Sequence, residues 1–123
     1  MRAVLLKGFG GPEVLELGEA PRPSPGPGQV LIRIAATSVN RADLQQRAGN
    51  YAPPPGESEI LGLECAGVIE ALGDGVGGWR VGDRVMTLLG GGGYAEHAIA
   101  PAGTLMPIPD HLDLVRAAAI AEV

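Results

Sequence analysis

The sequence predicts a mostly-β domain built as a barrel or sandwich. About six short apolar segments follow one another at regular spacing, each bounded by turn residues. Only two brief stretches carry a helical pattern. Gly (20) and Pro (11) make up about a quarter of the chain, and they punctuate the apolar segments instead of forming repeats. At 123 residues the chain fits one domain. A domain of that size buries roughly two-thirds of its unfolded surface, enough for a core without staples. A composition of 46% hydrophobic and 19% charged residues argues against disorder.

Met1–Lys7 and Val14–Leu17 read as strands around a Gly-Gly-Pro turn. Pro21–Gly28 (PRPSPGPG) lacks the N–H donors a ladder needs and reads as a surface connector. Gln29–Ser38 is the clearest strand, with Val30, Ile32, Ile34 and Ala36 alternating against Leu31, Arg33 and Ala35. Asn40–Arg47 reads as a short helix, with Asn40 as N-cap and Asp43 in the first turn, where negative charge suits the helix dipole. Ala48–Glu59 is a Pro-rich loop, and Glu64–Leu72 is a second strong strand. Further strands are expected through Leu89 and over Tyr94–Ala100. Leu112–Val123 has the pattern of a helix, with Leu112, Val115, Ala119 and Ile120 on one side. It lacks a terminator, so the chain is expected to continue in a longer protein.

The net charge is −5 and the nine basic residues are scattered. Neither nucleic acid nor an anionic membrane surface therefore finds a basic patch. Cys65 is the only cysteine, which excludes an internal disulfide and a Cys-based structural zinc site. The start, MRAVLLKGFGG, has too short an apolar run to read as a signal peptide and no stretch is long enough to span a bilayer, so a cytoplasmic location is expected by default. Neither GxSxG nor HExxH occurs, so hydrolase chemistry has no support. Gly73-x-Gly75-x-Gly77 precedes Trp79-Arg80-Val81-Gly82 and a strand, not the helix a dinucleotide phosphate needs. Gly90–Gly93 reads as a tight turn using positive φ.

Several segments in order carry a family resemblance: NRADLQQRAGNYAPPPG at 40–56, LGLECAGVIEALG at 61–73, VGDRVMTLL at 81–89, GGYAEHAIAP at 92–101 and LMPIPDHL at 105–112. Together they resemble the GroES-like catalytic domain of the medium-chain dehydrogenase/reductase superfamily, in particular its zinc-free quinone oxidoreductase branch of the p53-inducible type. The resemblance implies a GroES-like, partly open β-barrel with short helices over residues 1–123. The helix from about residue 112 would begin the link to a Rossmann nucleotide-binding domain that this chain does not contain. It also implies an NADPH- or NADH-dependent enzyme that transfers hydride to a small-molecule quinone or enone. The isolated domain is then expected to be inactive and to bind NADPH weakly, and a homodimer of the full-length protein is compatible with the family. The zinc members carry a Cys where Asn40 stands, and Gly-His-Glu where this chain has Gly62-Leu63-Glu64. Leu63 has no lone pair to offer, so no metal is expected.

Metal-free hydride transfer leaves charge on an oxygen that needs hydrogen-bond or proton donors. Asn40 is the first candidate, as a neutral donor to the substrate oxygen or to the cofactor ribose. It serves equally as a helix cap, whose side-chain oxygen is used while the NH₂ stays free. Tyr51 is the second, a phenol on a loop that the resemblance places over the cleft. Asp43 is the third, orienting Asn40 or bonding a cofactor hydroxyl, though a first-turn acid needs no functional reason. Glu64 reads as a buried hydrogen-bond hub with a partner such as Arg41, Cys65 as a small buried apolar residue, and His97 as structural. The competing expectation is a freestanding β-barrel binding or assembly module without catalysis.

Overall fold

A computed structural model describes residues 1–123. The two most apolar segments form the centre of the main sheet: β1 (Arg2–Leu6) and β2 (Leu15–Glu19) make a separate hairpin, and β3 (Gln29–Ala36) pairs antiparallel with β4 (Glu64–Leu72). Between β3 and β4 lies helix α1 (Arg41–Ala48). β5 (Arg84–Leu88) pairs with β4, β6 (His97–Pro101) with β3, and the two-residue β7 (Met106–Pro107) with β5. The resulting sheet has the order β6-β3-β4-β5-β7. It does not close on itself, so the architecture is the mostly-β, partly open one expected. Both edge strands end in a proline, Pro101 and Pro107, which offers no N–H to an incoming strand.

Two register shifts interrupt the β3–β4 ladder, between Leu31 and Ile32 and between Ile34 and Ala36. Such bulges bend the strand and increase its twist. One face of the sheet buries Val30, Ile32, Cys65, Ile69, Val85 and Leu89 in a single apolar cluster. Each large aliphatic side chain removed from water there contributes about 2 kcal/mol. On the opposite face Ala66 packs with Ile108, Ala117 and Ala118.

Three expectations are corrected. The C-terminal helix, α2, spans only Leu114–Ala117, and Val115 is 70% exposed. Its buried residues are Ala117 and Ala118, because alanine lets the turn approach Ala66 where a branched side chain would hold it off. β6 begins at His97, not at Tyr94, because the preceding residues turn to the hairpin: Ala95 bridges Ala3, and Val4 N–H donates to the Tyr94 carbonyl at 2.8 Å. Finally, Gly90–Gly93 is a place of close backbone approach more than a positive-φ turn, since only Gly92 has positive φ. The N–H groups of Gly92, Gly93 and Tyr94 donate to the carbonyls of Ile60, Gly62 and Leu61 at 2.7, 3.0 and 2.8 Å. A Cβ on Gly62 would stand 2.5 Å from the Gly93 Cα, and Gly62 has φ +108°. This seam carries Tyr94 toward α1. No helix is long and apolar enough to cross a membrane.

Candidate active site

Helix α1 carries the candidate residues at its two ends. Asn40 occupies the N-cap position in extended backbone, φ −115° and ψ 158°. The Asp43 carboxylate reaches back, and its Oδ2 accepts the Asn40 backbone N–H at 2.8 Å. The Asp43 N–H in turn donates to the Asn40 carbonyl at 3.0 Å. Asn and Asp at these positions start a helix because they satisfy backbone groups that have no partner within it.

The Asn40 side chain is partly engaged, where a simple cap would leave its whole NH₂ free. Its Nδ2 donates to Glu64 Oε1 at 2.9 Å. Glu64 is 1% exposed, and its other oxygen accepts the Glu122 backbone N–H at 3.0 Å. A buried carboxylate must be paired or hydrogen-bonded. Glu64 is the hub expected, but two N–H donors serve it instead of Arg41, which lies exposed on the helix.

Sequence reasoning missed Tyr94. Its hydroxyl donates to Asp43 Oδ2 at 2.8 Å, the same oxygen that caps Asn40. Burial first, and then the bond to Asp43, raise its hydroxyl well above the ordinary phenol range. The one available signal was chemical: a tyrosine in an otherwise apolar segment, when covered, needs a partner for its hydroxyl. Asp43 is 3% exposed, and its second oxygen is buried without a partner. Tyr94, Asp43, Asn40 and Glu64 thus form one continuous polar chain beside buried Leu63.

Cys65 sits in the apolar core, and burial, followed by the Glu64 charge, pushes its thiol up to about 12. That favours the unreactive thiol over the thiolate at neutral pH. His97 lies outside the polar chain, its Nε2 2.8 Å from Glu70 Oε2, an ion-pair distance when the imidazole is protonated. No three His, Cys, Asp or Glu side chains come together as a metal-binding group.

At the other end, α1 terminates on Gly49 in the left-handed conformation, φ +88°. Tyr51 follows, 38% exposed, on the wall of a cavity of about 610 Å³. Phe9, Gln46, Pro53 and Ile60 also line it, with Glu59 as its one charged residue. Neither Asn40 nor Asp43 reaches this cavity. The structure therefore brings Asn40 and Asp43 together with Glu64 and Tyr94, and sets Tyr51 apart at the far end of the helix. Gly73–Gly78 forms the turn after β4, with positive φ at Gly75 and Gly78 and no helix following, so it does not fit a dinucleotide phosphate.

An open antiparallel sheet with a short capped helix between β3 and β4 is the architecture of a GroES-like domain. Residues 26–110 match the alcohol dehydrogenase GroES-like domain, and the chain belongs to that family, within the medium-chain dehydrogenase/reductase superfamily. It is 43% identical over 122 residues to a quinone oxidoreductase of Lama guanicoe, covering 98% of this chain and 37% of that protein. It is 42% identical over 119 residues to the synaptic vesicle membrane protein VAT-1 homolog-like of Mus musculus, covering 97% of this chain and 28% of that one. Among solved structures, the human VAT-1 homolog-like protein superposes with a TM-score of 0.91 at 42% identity, over 98% of this chain and 39% of that chain. The Escherichia coli quinone oxidoreductase complexed with NADPH gives 0.88 at 29% identity, over 98% and 37%. The chain thus spans roughly a third of the length of the curated relatives it matches.

Proposed function

We propose that this chain is the substrate-side domain of an NAD(P)H-dependent, zinc-independent oxidoreductase that reduces quinones or activated alkenes. In this reading residues 1–123 work with a nucleotide-binding domain. The observation that carries it is 43% identity to proteins named quinone oxidoreductase, across 98% of the chain. The donor set supports zinc independence. Leu63 offers no lone pair, and the Asn40 amide is bonded to Glu64.

The reduced nicotinamide supplies the hydride when bound, and nothing in this chain cradles its phosphates. The chain's own residues act on the substrate. Reduction leaves negative charge on a substrate oxygen. One Asn40 amide N–H is bonded to Glu64, and the second N–H is available to that oxygen. Asp43 and Tyr94 hold the Asn40 backbone in place. An eight-residue helix is about 12 Å long. Asn40 and Tyr51 therefore address different parts of an extended substrate, Asn40 the reacting oxygen and Tyr51 a substituent roughly 12 Å away.

The test is NADPH-dependent reduction of a 1,4-benzoquinone carrying a long isoprenoid substituent by this chain joined to a nucleotide-binding domain. Asn40→Ala lowers kcat at least roughly tenfold, as the loss of one oxyanion donor does. Tyr51→Phe lowers kcat/KM. If both variants turn over like the wild type, the assigned roles are wrong. The 123-residue chain titrated alone with NADPH shows only weak binding, since no strand–glycine–helix turn is present.

A further inference from the structure

We infer that Phe9 is the ring-binding residue of the Tyr51 cavity, and that the cavity selects neutral planar rings over anionic ones. This goes beyond the proposed function, since the cavity lies apart from Asn40, and its readout is binding and not turnover.

Phe9 is 72% exposed, an unusual position for an aromatic side chain in a chain with one Phe, one Trp and two Tyr. Yet it is held in place. Its ring lies against Gly49, within 3.0 Å of where a Cβ there would stand. The loop that presents it is pinned to α1 through both backbone groups of one residue: Gly10 N–H donates to the Arg47 carbonyl at 3.0 Å, and Arg47 Nε donates to the Gly10 carbonyl at 3.2 Å. The αL cap at Gly49 thus ends the helix and also makes room for the ring. An exposed aromatic on a fixed loop loses little freedom when a ligand stacks on it.

Two of the four aromatic residues, Phe9 and Tyr51, line this cavity. Its volume of about 610 Å³ suits a small ligand. The remaining wall is mainly apolar, from Leu5, Leu6, Ala52, Pro53 and Ile60. Gln46 donates its Nε2 to the Glu59 carbonyl at 3.2 Å and so has that donor engaged. The only charged residue of the lining is Glu59, and no cationic residue lines it. Two aromatic faces favour a flat ring, and a lone carboxylate repels an anionic substituent on it.

The experiment is a ¹H–¹⁵N NMR titration of the 123-residue chain with 1,4-naphthoquinone and, separately, with 1,4-naphthoquinone-2-sulfonate. The neutral ring is expected to shift the amides of Gly8, Phe9, Gly49 and Tyr51. The sulfonate is expected to bind roughly threefold more weakly, in keeping with an exposed like-charge contact. Glu59→Gln removes that difference. Phe9→Ala weakens naphthoquinone binding roughly fivefold, the size of one aromatic pair. Phe9→Leu keeps apolar volume without the π face, and loses affinity too. Shifts elsewhere, an unchanged affinity in Phe9→Leu, or sulfonate binding as tight as the neutral ring would each overturn the inference. The turnover assay of the preceding section fails or succeeds independently of these binding measurements.

Discussion

The two ends of helix α1 are built for opposite purposes. At the N-terminal end two carboxylates, Asp43 and Glu64, are almost wholly buried, and each accepts hydrogen bonds on named atoms. At the C-terminal end the aromatic groups Phe9 and Tyr51 stand exposed around a cavity. Buried polar groups are costly to move and fix one geometry. Exposed aromatic groups gain most when a ligand covers them. One eight-residue helix therefore couples a rigid anchor for Asn40 to an open surface around Tyr51. If that division is right, substitutions at the N-terminal end register in stability first, and those at the C-terminal end in binding alone.

The largest effect is expected at Asp43. Asp43→Ala removes the acceptor for the Asn40 N–H and for the Tyr94 hydroxyl. A lost cap and two groups left without a partner sum to about 3 kcal/mol. Urea unfolding of the variant should show the midpoint falling accordingly. A loss below ~0.5 kcal/mol, the level of a neutral surface change, would mean the N-terminal end is no anchor.

A smaller effect is expected at Tyr94, and it carries a pH signature. Tyr94→Phe deletes one hydrogen bond to a carboxylate, worth about 1–2 kcal/mol. The folded hydroxyl is raised above its ordinary value of 10.0, chiefly by burial and then by Asp43. A raised value means that the fold favours the protonated phenol. Its contribution is therefore fully present below about pH 10 and is lost as pH rises beyond it. The stability advantage of wild type over Tyr94→Phe should shrink when unfolding is measured from pH 9 to pH 11. Cys65, pushed up to about 12, gives a loss of the same sign in both proteins, so the difference isolates Tyr94. An advantage that stays constant over that range would deny the Tyr94–Asp43 bond its role.

What was legible in the sequence is what local chemistry dictates. Alternation marked β3, an apolar run marked β4, and Asn40 with Asp43 in the first turn marked the start of α1. What was not legible depends on distant pairings. Tyr94 and Asp43 are 51 residues apart, and Asn40 and Glu64 are 24 apart, with no periodicity linking either pair. Tyr94 and Ala95 have strand composition, but they turn to the hairpin, where Ala95 bridges Ala3 and Tyr94 accepts the Val4 N–H. The face of α2 was misjudged because the space above Ala66 admits alanine, a constraint set by the sheet and absent from the helix's own pattern. Phe9 belonged to no motif at all. Its position beside Gly49 follows from where the hairpin meets the end of α1.

The smallest effect on stability is expected at Tyr51, and it is the sharpest check on the comparison. The residue is 38% exposed on a loop rich in proline, so Tyr51→Phe exchanges a wet hydroxyl for hydrogen. Surface changes of this kind stay within about ±0.5 kcal/mol. Thermal melts of wild type and variant should coincide, while quinone turnover in the two-domain protein falls. A clear drop in melting temperature would show that the hydroxyl holds the loop together. The two ends of α1 would then both be structural, and the catalytic assignment would rest on Asn40 alone. Coincident melts with reduced turnover would instead separate folding from function at the C-terminal end of α1.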